Sequence, residues 1–472
     1  MILVSSFLFF LFLFLIVGVL STLKSKGTTS DYLMARQSVS APVVALSAVS
    51  TNNSGYMFIG MIGYTYHIGL SSIWLMIGWI VGDLVSSFFV HKHMRTLAEE
   101  NEAYSFGGVI AACGPKASRF LRPLTGFITI IFLGTYAAAQ LGAGSKALHV
   151  LFDWPEAVGA LLGGFIVLLY SYAGGIRASF WTDVAQSAVM FASMVILMFT
   201  CIRYLGGTEA TIGKLEAISP TFLSVLPYWH VGGPYFGALL FIVGWFIAGI
   251  AVVGQPHIML RFMAMKNVEQ MTRIRAYYYS WYTLFYCLTI VVGLCARVIL
   301  AEAEQFDAEL ALPMIAMDLL PAALAGLALA GLFAATMSTA DSQILSCTAA
   351  ATLDFNTRSF TLTQTKCITA LITALAVVIA IGSVESIFNL VVISWAALGS
   401  AFAPILLSYS MGARPSENCR IAMIICGLGT MLLFRQIGGG EWIYEVFPGM
   451  AAGFLPLLSR GRLSEKLSWD SR

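Results

Sequence analysis

Three observations predict an all-α polytopic membrane protein. Only 11% of the 472 residues are charged, 58% are hydrophobic and the mean hydropathy is +0.84, whereas soluble domains average about 25% charged. Thirteen apolar runs recur along the whole chain, centred near residues 12, 54, 80, 132, 163, 190, 248, 288, 335, 374, 397, 428 and 449, each long enough for about 30 Å of hydrocarbon. The basic residues also alternate between sides. With the N-terminus outside, 21 of the 26 Lys and Arg fall in inside loops, and only Lys146, Arg203, Lys214, Arg297 and Arg435 fall outside. That asymmetry sets membrane orientation, so the net charge of +2 says nothing of nucleic acid.

The runs justify themselves in order. The first, Ile2 to about Ser21, is too long for a signal-peptide core and is followed by Lys24 and Lys26 rather than a cleavage site. A retained helix is expected, with its N-terminus outside. The second run contains STNNSGYMFIG, from Ser50 to Gly60. Asn and Gly are poor helix formers, and Asn, Ser and Thr compete for backbone hydrogen bonds. A discontinuous helix is expected there, relaxed at Gly55, with freed carbonyls and amides facing a cavity instead of lipid. Such breaks are the usual ion and solute sites of secondary transporters.

The third run carries Asp83 in IVGDLVSS, and the sixth carries Asp183 in GGIRASFWTDVAQ. The ninth carries Asp341 in LFAATMSTADSQIL. An intramembrane carboxylate costs about 2.5–3.5 kcal/mol on insertion scales, so each is a candidate functional residue. At Asp83, toward the inner end of its run, a structural partner competes with a functional role. The seventh run breaks again: GWFIAGIAVVGQPHIMLRF holds Gly244, Gly249 and Gly254-Gln255-Pro256-His257, and proline removes an amide from the ladder. Two breaks five helices apart suggest an inverted five-helix repeat. In the ninth run Ala335, Ser338, Asp341 and Ser342 share one helical face, with Thr339 beside it. Small-residue helix packing accounts for such a stripe. So does an oxygen-rich face for a hard cation.

Eight scattered cysteines without a C-x-x-C and six histidines without a ligand pair give no disulfide framework or metal cluster. No HExxH, nucleophile–base pair or nucleotide motif argues for an enzyme. A transporter-fold sensor would need a cytoplasmic module, and little chain follows Leu458. A proton-coupled carrier stays open, because Asp183 and Asp341 can bind a proton as well as a cation.

The motifs SDYLMAR, ALSAVSTNNSG, GGIRASFWTDVAQ, GQPHIMLRFMA, LFAATMSTADSQIL and WAALGSAFAP, in this order, resemble the sodium/solute symporter family, most closely its bacterial sodium/proline symporters. The resemblance implies a leucine-transporter-type core: one extra helix (1–22), a first repeat (42–205), an inverted second repeat (236–410) and two C-terminal helices (419–458). It implies inward, sodium-coupled symport of a small solute, L-proline or a related amino acid, in a bacterial inner membrane, with no enzyme activity, nucleic acid or obligate protein partner. Carried over by residue, the main sodium site is the carbonyls of Ser50, Asn53 and Ala335 with the hydroxyls of Ser338 and Thr339. A second cation or proton site falls on Asp183, Ser338, Asp341 and Ser342. The solute falls among Ser54, Gly55, Tyr56, Tyr136, Trp245, Ala248 and Gln255. Two departures concern the solute. Asn52 stands where proline symporters carry an acid, and Ala248 stands where they carry a tryptophan.

The expected topology is directly testable. Cysteines placed ahead of Ile2 and beyond Arg460 should react with impermeant reagents from opposite faces; labelling of both from one face would overturn the orientation.

Overall fold

The computed structural model describes residues 1–115, 118, 120–227, 233–300, 307–355, 359–382 and 387–458. Lys116, Arg119, Arg358, Arg460, Arg462, Lys466 and Arg472, counted above as inside, lie outside the described residues.

Nineteen α-helices carry the described chain: α1 (Ile2–Ser21), α2 (Thr29–Met34), α3 (Ala41–Gly55), α4 (Met61–Ile68), α5 (Ile73–Glu100), α6 (Phe106–Ala112), α7 (Leu121–Ile128), α8 (Gly134–Phe152), α9 (Glu156–Tyr204), α10 (Thr208–Glu216), α11 (Pro234–Ile250), α12 (Pro256–Met263), α13 (Met271–Ile299), α14 (Ala311–Leu319), α15 (Ala322–Leu353), α16 (Leu362–Gly382), α17 (Ile387–Ser410), α18 (Glu417–Gln436) and α19 (Val446–Leu458). No strand occurs among the described residues. Ten stretches among them are long and apolar enough to cross a membrane. Two, Ala41–Glu100 and Glu156–Tyr204, run 60 and 49 residues. At 1.5 Å per residue each exceeds a single crossing, and left-handed glycines interrupt them at Gly69 (φ 75) and Gly175 (φ 57). The thirteen crossings expected from the sequence would require two crossings in each of these and a span by the shorter apolar α19.

Both expected interruptions are present. The α3–α4 rod fails at Ser54 (φ 32, ψ 177), followed by a wide turn over Tyr56–Gly60. The strained residue is thus Ser54; Gly55 keeps a helical φ of −57. Gly55 has a different reason to be glycine: a Cβ there would sit 2.7 Å from the Thr336 methyl and 3.0 Å from Ala143. The α11–α12 rod fails at Gln255, which is extended (φ −91, ψ 107), and Pro256 then opens α12. There the ring supplies the helical φ and costs no amide that the first turn would have bonded.

The two broken rods are tied together at one end. Val39, just ahead of α3, pairs with Met265, just past α12, through Val39 N–H to Ala264 O (3.2 Å) and Lys266 N–H to Val39 O (2.9 Å). Around them α15 packs on α8, α9 and α3, and α5 packs on α11. At the kink of α9, Arg177 pairs with the buried Asp31 of α2 at 2.6 Å, and Gly175 lies against Tyr32. That contact pins the α2 segment onto the bend.

The α5–α11 contact runs backbone to backbone. A Cβ on Gly82 would meet the Phe246 carbonyl, and one on Gly249 the Trp79 carbonyl. Gly249→Val should therefore overpack the seam and cost about 1–3 kcal/mol, read as a lowered melting temperature in detergent. Unchanged stability would show that the seam tolerates a side chain.

Candidate functional site

The polar run of α3 is wholly enclosed: Ser50, Thr51, Asn53 and Ser54 are 0% exposed and Asn52 is 5% exposed. Facing it is the stripe of α15, where Ser338, Thr339 and Asp341 are likewise 0% exposed. Ser338 Oγ donates to Ala335 O at 3.1 Å and reaches Ser50 O at 3.4 Å. Thr339 Oγ1 lies 3.1 Å from Ala335 O and 3.0 Å from Thr51 O. Four of the five expected ligands, Ser50, Ala335, Ser338 and Thr339, thus meet across one α3–α15 seam. The fifth, the Asn53 carbonyl, accepts the Tyr56 amide within the break. The Thr51 carbonyl, which residue spacing did not single out, joins the cluster. The donors are all oxygen, the chemistry a hard cation takes.

Below this seam lies a second polar centre. Asp183 and Asp341 do come together, and the guanidinium of Arg261 stands between them. Arg261 Nη2 is 3.6 Å from Asp183 Oδ2 and 3.7 Å from Asp341 Oδ1. It donates to Ser179 Oγ at 2.6 Å and to Ser342 Oγ. Ser47 Oγ donates to Asp183 Oδ2 at 2.5 Å, and Ser179 and Ser342 hydroxyls reach Asp341 Oδ1 at 2.8 and 3.0 Å. Ser342 also bonds Thr51 Oγ1 at 2.8 Å, so the two centres share a hydroxyl. Arg261 was counted above among inside-loop residues. It is 1% exposed and part of the site. Its place five residues after Pro256 on the broken helix was the available signal. Two carboxylates against one guanidinium leave one formal negative charge, and Asp183 Oδ1, Asp341 Oδ2 and Arg261 Nη1 have no hydrogen-bond partner in the protein.

The seven expected solute residues surround an aromatic cluster. Tyr136 OH donates to Ser54 Oγ at 3.3 Å. Tyr56 lies 6.1 Å from Trp79, and Trp79 stacks on Trp245 at 5.8 Å. Trp395 of the SWAALGS run fills the centre, 4.7 Å from Trp79 and 6.5 Å from Tyr136. It also binds α11 and the break residue that follows it, with Gln255 Nε2 donating to Trp395 O at 2.9 Å and Trp395 Nε1 to Ala248 O at 3.5 Å. Trp79 and Trp395 were both missed, since an isolated tryptophan in an apolar run reads as packing. Trp245 also lines a cleft, with Tyr64, Phe241, Val392, Trp442 and Tyr444 among its neighbours. The Gly55 amide, among those expected to face a cavity, donates to Gln140 Oε1 at 2.7 Å, and the Tyr56 amide reaches Ser54 Oγ at 3.1 Å.

The sequence profile of the sodium:solute symporter family matches residues 32–427. The high-affinity proline transporter PutP of Bacillus subtilis (strain 168) is 24% identical over 443 residues, 92% of each chain. The sodium/proline symporter of Escherichia coli (strain K12) is 26% identical over 470 residues, 96% of this chain and 91% of the relative. Among solved structures, a Na+-coupled sialic acid symporter in a substrate-bound outward-open state superposes with a TM-score of 0.80 at 16% identity, covering 97% of this chain and 96% of that one. The nucleobase-cation-symport-1 transporter Mhp1 superposes with a TM-score of 0.57 at 14% identity, covering 93% and 96%. These neighbours share the leucine-transporter-type fold, which is the fold of this chain.

Arg261→Met would strand two buried carboxylates. Removing one partner of a buried pair costs roughly 3–5 kcal/mol, and Arg261→Met combined with Asp341→Asn should recover much of it. Thermal unfolding of both purified variants reads the difference. Equal stability of the single variant and the parent would deny the cluster its electrostatic role.

Proposed function

We propose that this chain, which belongs to the sodium:solute symporter family and is a transporter rather than an enzyme, moves a small solute across a bacterial cytoplasmic membrane by alternating access, driven by sodium. Residues 42–205 and 236–410 would be the two inverted repeats, the N-terminus outside and the C-terminus cytoplasmic. The observation that carries the reading is the α3–α15 seam, where buried hydroxyls of an intact helix meet carbonyls of a broken one. Carbonyls at a helix break are the groups that coordinate a transported cation. Sodium binds there, through Ser50, Asn53, Ala335, Ser338 and Thr339, with Thr51 added. A second cation or a proton occupies the Asp183–Asp341–Ser342 centre, where Arg261 already supplies one positive charge.

The solute is a small zwitterion or monoanion, L-proline first. The relatives named as proline transporters support this, as do the aromatic walls that Tyr56, Tyr136, Trp245 and Trp395 set beside the polar Ser54 and Gln255. An apolar ring fits such walls. Because Gln140 holds the Gly55 amide, a solute carboxylate must displace that side chain or bind beside it.

Sodium-dependent uptake by proteoliposomes tests both halves. Removing one ligand hydroxyl should cost about 1–3 kcal/mol, since its partners stay buried. That is roughly 5- to 150-fold in apparent sodium affinity. Unchanged sodium dependence in Ser338→Ala combined with Thr339→Ala would end the site assignment. A panel of labelled solutes decides the cargo. Sodium-driven proline uptake that collapses in Tyr136→Ala is expected, while robust uptake of another solute without competition from proline would exclude proline.

A further inference from the structure

The third intramembrane acid has no place in the sites above. Asp83 of α5 is 0% exposed. None of the ion pairs among the described residues includes it, and the polar groups that approach its carboxylate are the phenols of Tyr278 and Tyr279, which stop short of full hydrogen-bond geometry. One turn earlier on the same helix, Trp79 stands in the aromatic cluster. The facing helix α13 brings Tyr278, Tyr279 and Tyr282 into its electrostatic reach. Tyr278 in turn accepts a hydrogen bond from Asn52 Nδ2 at 2.6 Å. Asn52 therefore occupies a Tyr278 lone pair, which leaves the phenolic O–H to seek an acceptor, and Asp83 is the carboxylate next to it.

A buried carboxylate without a cation takes up a proton or a ligand of opposite charge. The other charged or titratable groups nearby do not serve. Arg275 of α13 donates to Ser87 O at 2.7 Å and to Ser87 Oγ at 3.1 Å, and its guanidinium lies over Phe88. His91, two turns along α5, is buried against Phe262 of α12 at 3.9 Å. From α3 the uncharged Asn52 reaches Tyr278, and α11 sets the backbone of Phe246, Gly249 and Ile250 against Gly82, the residue before the acid. A metal cation fits poorly as well, because it needs several oxygens. Helix α5 is unbroken from Ile73 to Glu100, so its carbonyls are spent on the helix ladder, unlike those of α3. A proton needs one oxygen only.

We propose that Asp83 is a proton-binding site linked to the sodium site through Tyr278 and Asn52. Asn52 lies between the Ser50 and Asn53 carbonyls on the broken helix. When Asp83 is ionised, its negative charge and its pull on the Tyr278 hydroxyl favour a cation at the break. When it carries a proton, that support is gone. Sodium binding and Asp83 protonation therefore oppose one another, and apparent sodium affinity rises with pH. The direction of this linkage rests on the sodium site proposed above; the proton site does not.

Two measurements on the full-length purified protein separate those claims. Infrared difference spectra between parent and Asp83→Asn, recorded without sodium at neutral pH, should show a protonated-carboxyl band that only the parent has; its absence overturns the proton site whatever the transport activity. Sodium alone is then titrated against thermal stability from acid to alkaline pH. In the parent the midpoint should tighten with pH, approaching about tenfold per unit if one proton leaves as one sodium binds. In Asp83→Asn the midpoint should be flat, and Tyr278→Phe, which keeps the acid and cuts the relay, should flatten it too. A slope retained in Asp83→Asn and lost in Asp341→Asn would assign the proton to the Arg261 centre and overturn the linkage. A sodium response absent from the parent at every pH, with the infrared band present, would overturn the sodium site and leave the Asp83 proton standing.

Discussion

A broken helix survives inside a bilayer only if something else bonds what the break sets free, and here the hydroxyl of Thr339 on the carbonyl of Thr51 is central to that repair. Without water, each unpaired backbone group costs several kcal/mol. Ser338 covers the Ser50 carbonyl, Gln140 covers the Gly55 amide, and the Ser54 side chain covers the Tyr56 amide two residues on. The rest of the centre follows. Helix α15 must lie close enough for its hydroxyls to reach α3, so the residue against Thr336 has to be glycine, and Gly55 is. Helix α8 must present Gln140, which brings Tyr136 one turn earlier to the Ser54 hydroxyl.

The position of both breaks was legible in the residues, because Asn, Gly and Pro weaken a helix locally whatever surrounds them. The strained residue was not. Composition pointed to Gly55, yet Gly55 is glycine because Thr336 and Ala143 fill the space beside it, and the φ reversal falls on Ser54. The α15 stripe was legible from its 3.6-residue period. Asp183 and Asp341, read separately as expensive polar groups, were brought to one centre by the fold. Arg261 was obscured by the same rule that made topology readable: a basic residue near a helix end counts as interfacial, and only packing reveals that α12 turns inward. Trp79 and Trp395 were obscured because side-chain identity carries no direction; one indole in an apolar run reads the same whether it faces lipid or a chamber.

Two of the buried charge centres are built differently. At Asp31 the answer is a one-to-one pair with Arg177, placed where α2 meets the bend of α9. At Asp183 and Asp341 one guanidinium serves two acids, with Ser47, Ser179 and Ser342 supplying hydrogen bonds. The first arrangement is complete and suits a fixed strap. The second is one charge short, and such a shortfall is what makes a site responsive to an added cation.

The Val39–Met265 pairing has a mechanical meaning. Its two backbone hydrogen bonds join the chain entering the first broken rod to the chain leaving the second. Those ends share a rivet, and while the rivet holds they can pivot but cannot part. Beyond Ser54 and Gln255 the rods bear the aromatic cluster, and among the described residues no main-chain hydrogen bond joins them there. Parting the rods on the riveted side therefore requires breaking both main-chain hydrogen bonds, whereas a change of side-chain rotamer leaves them intact.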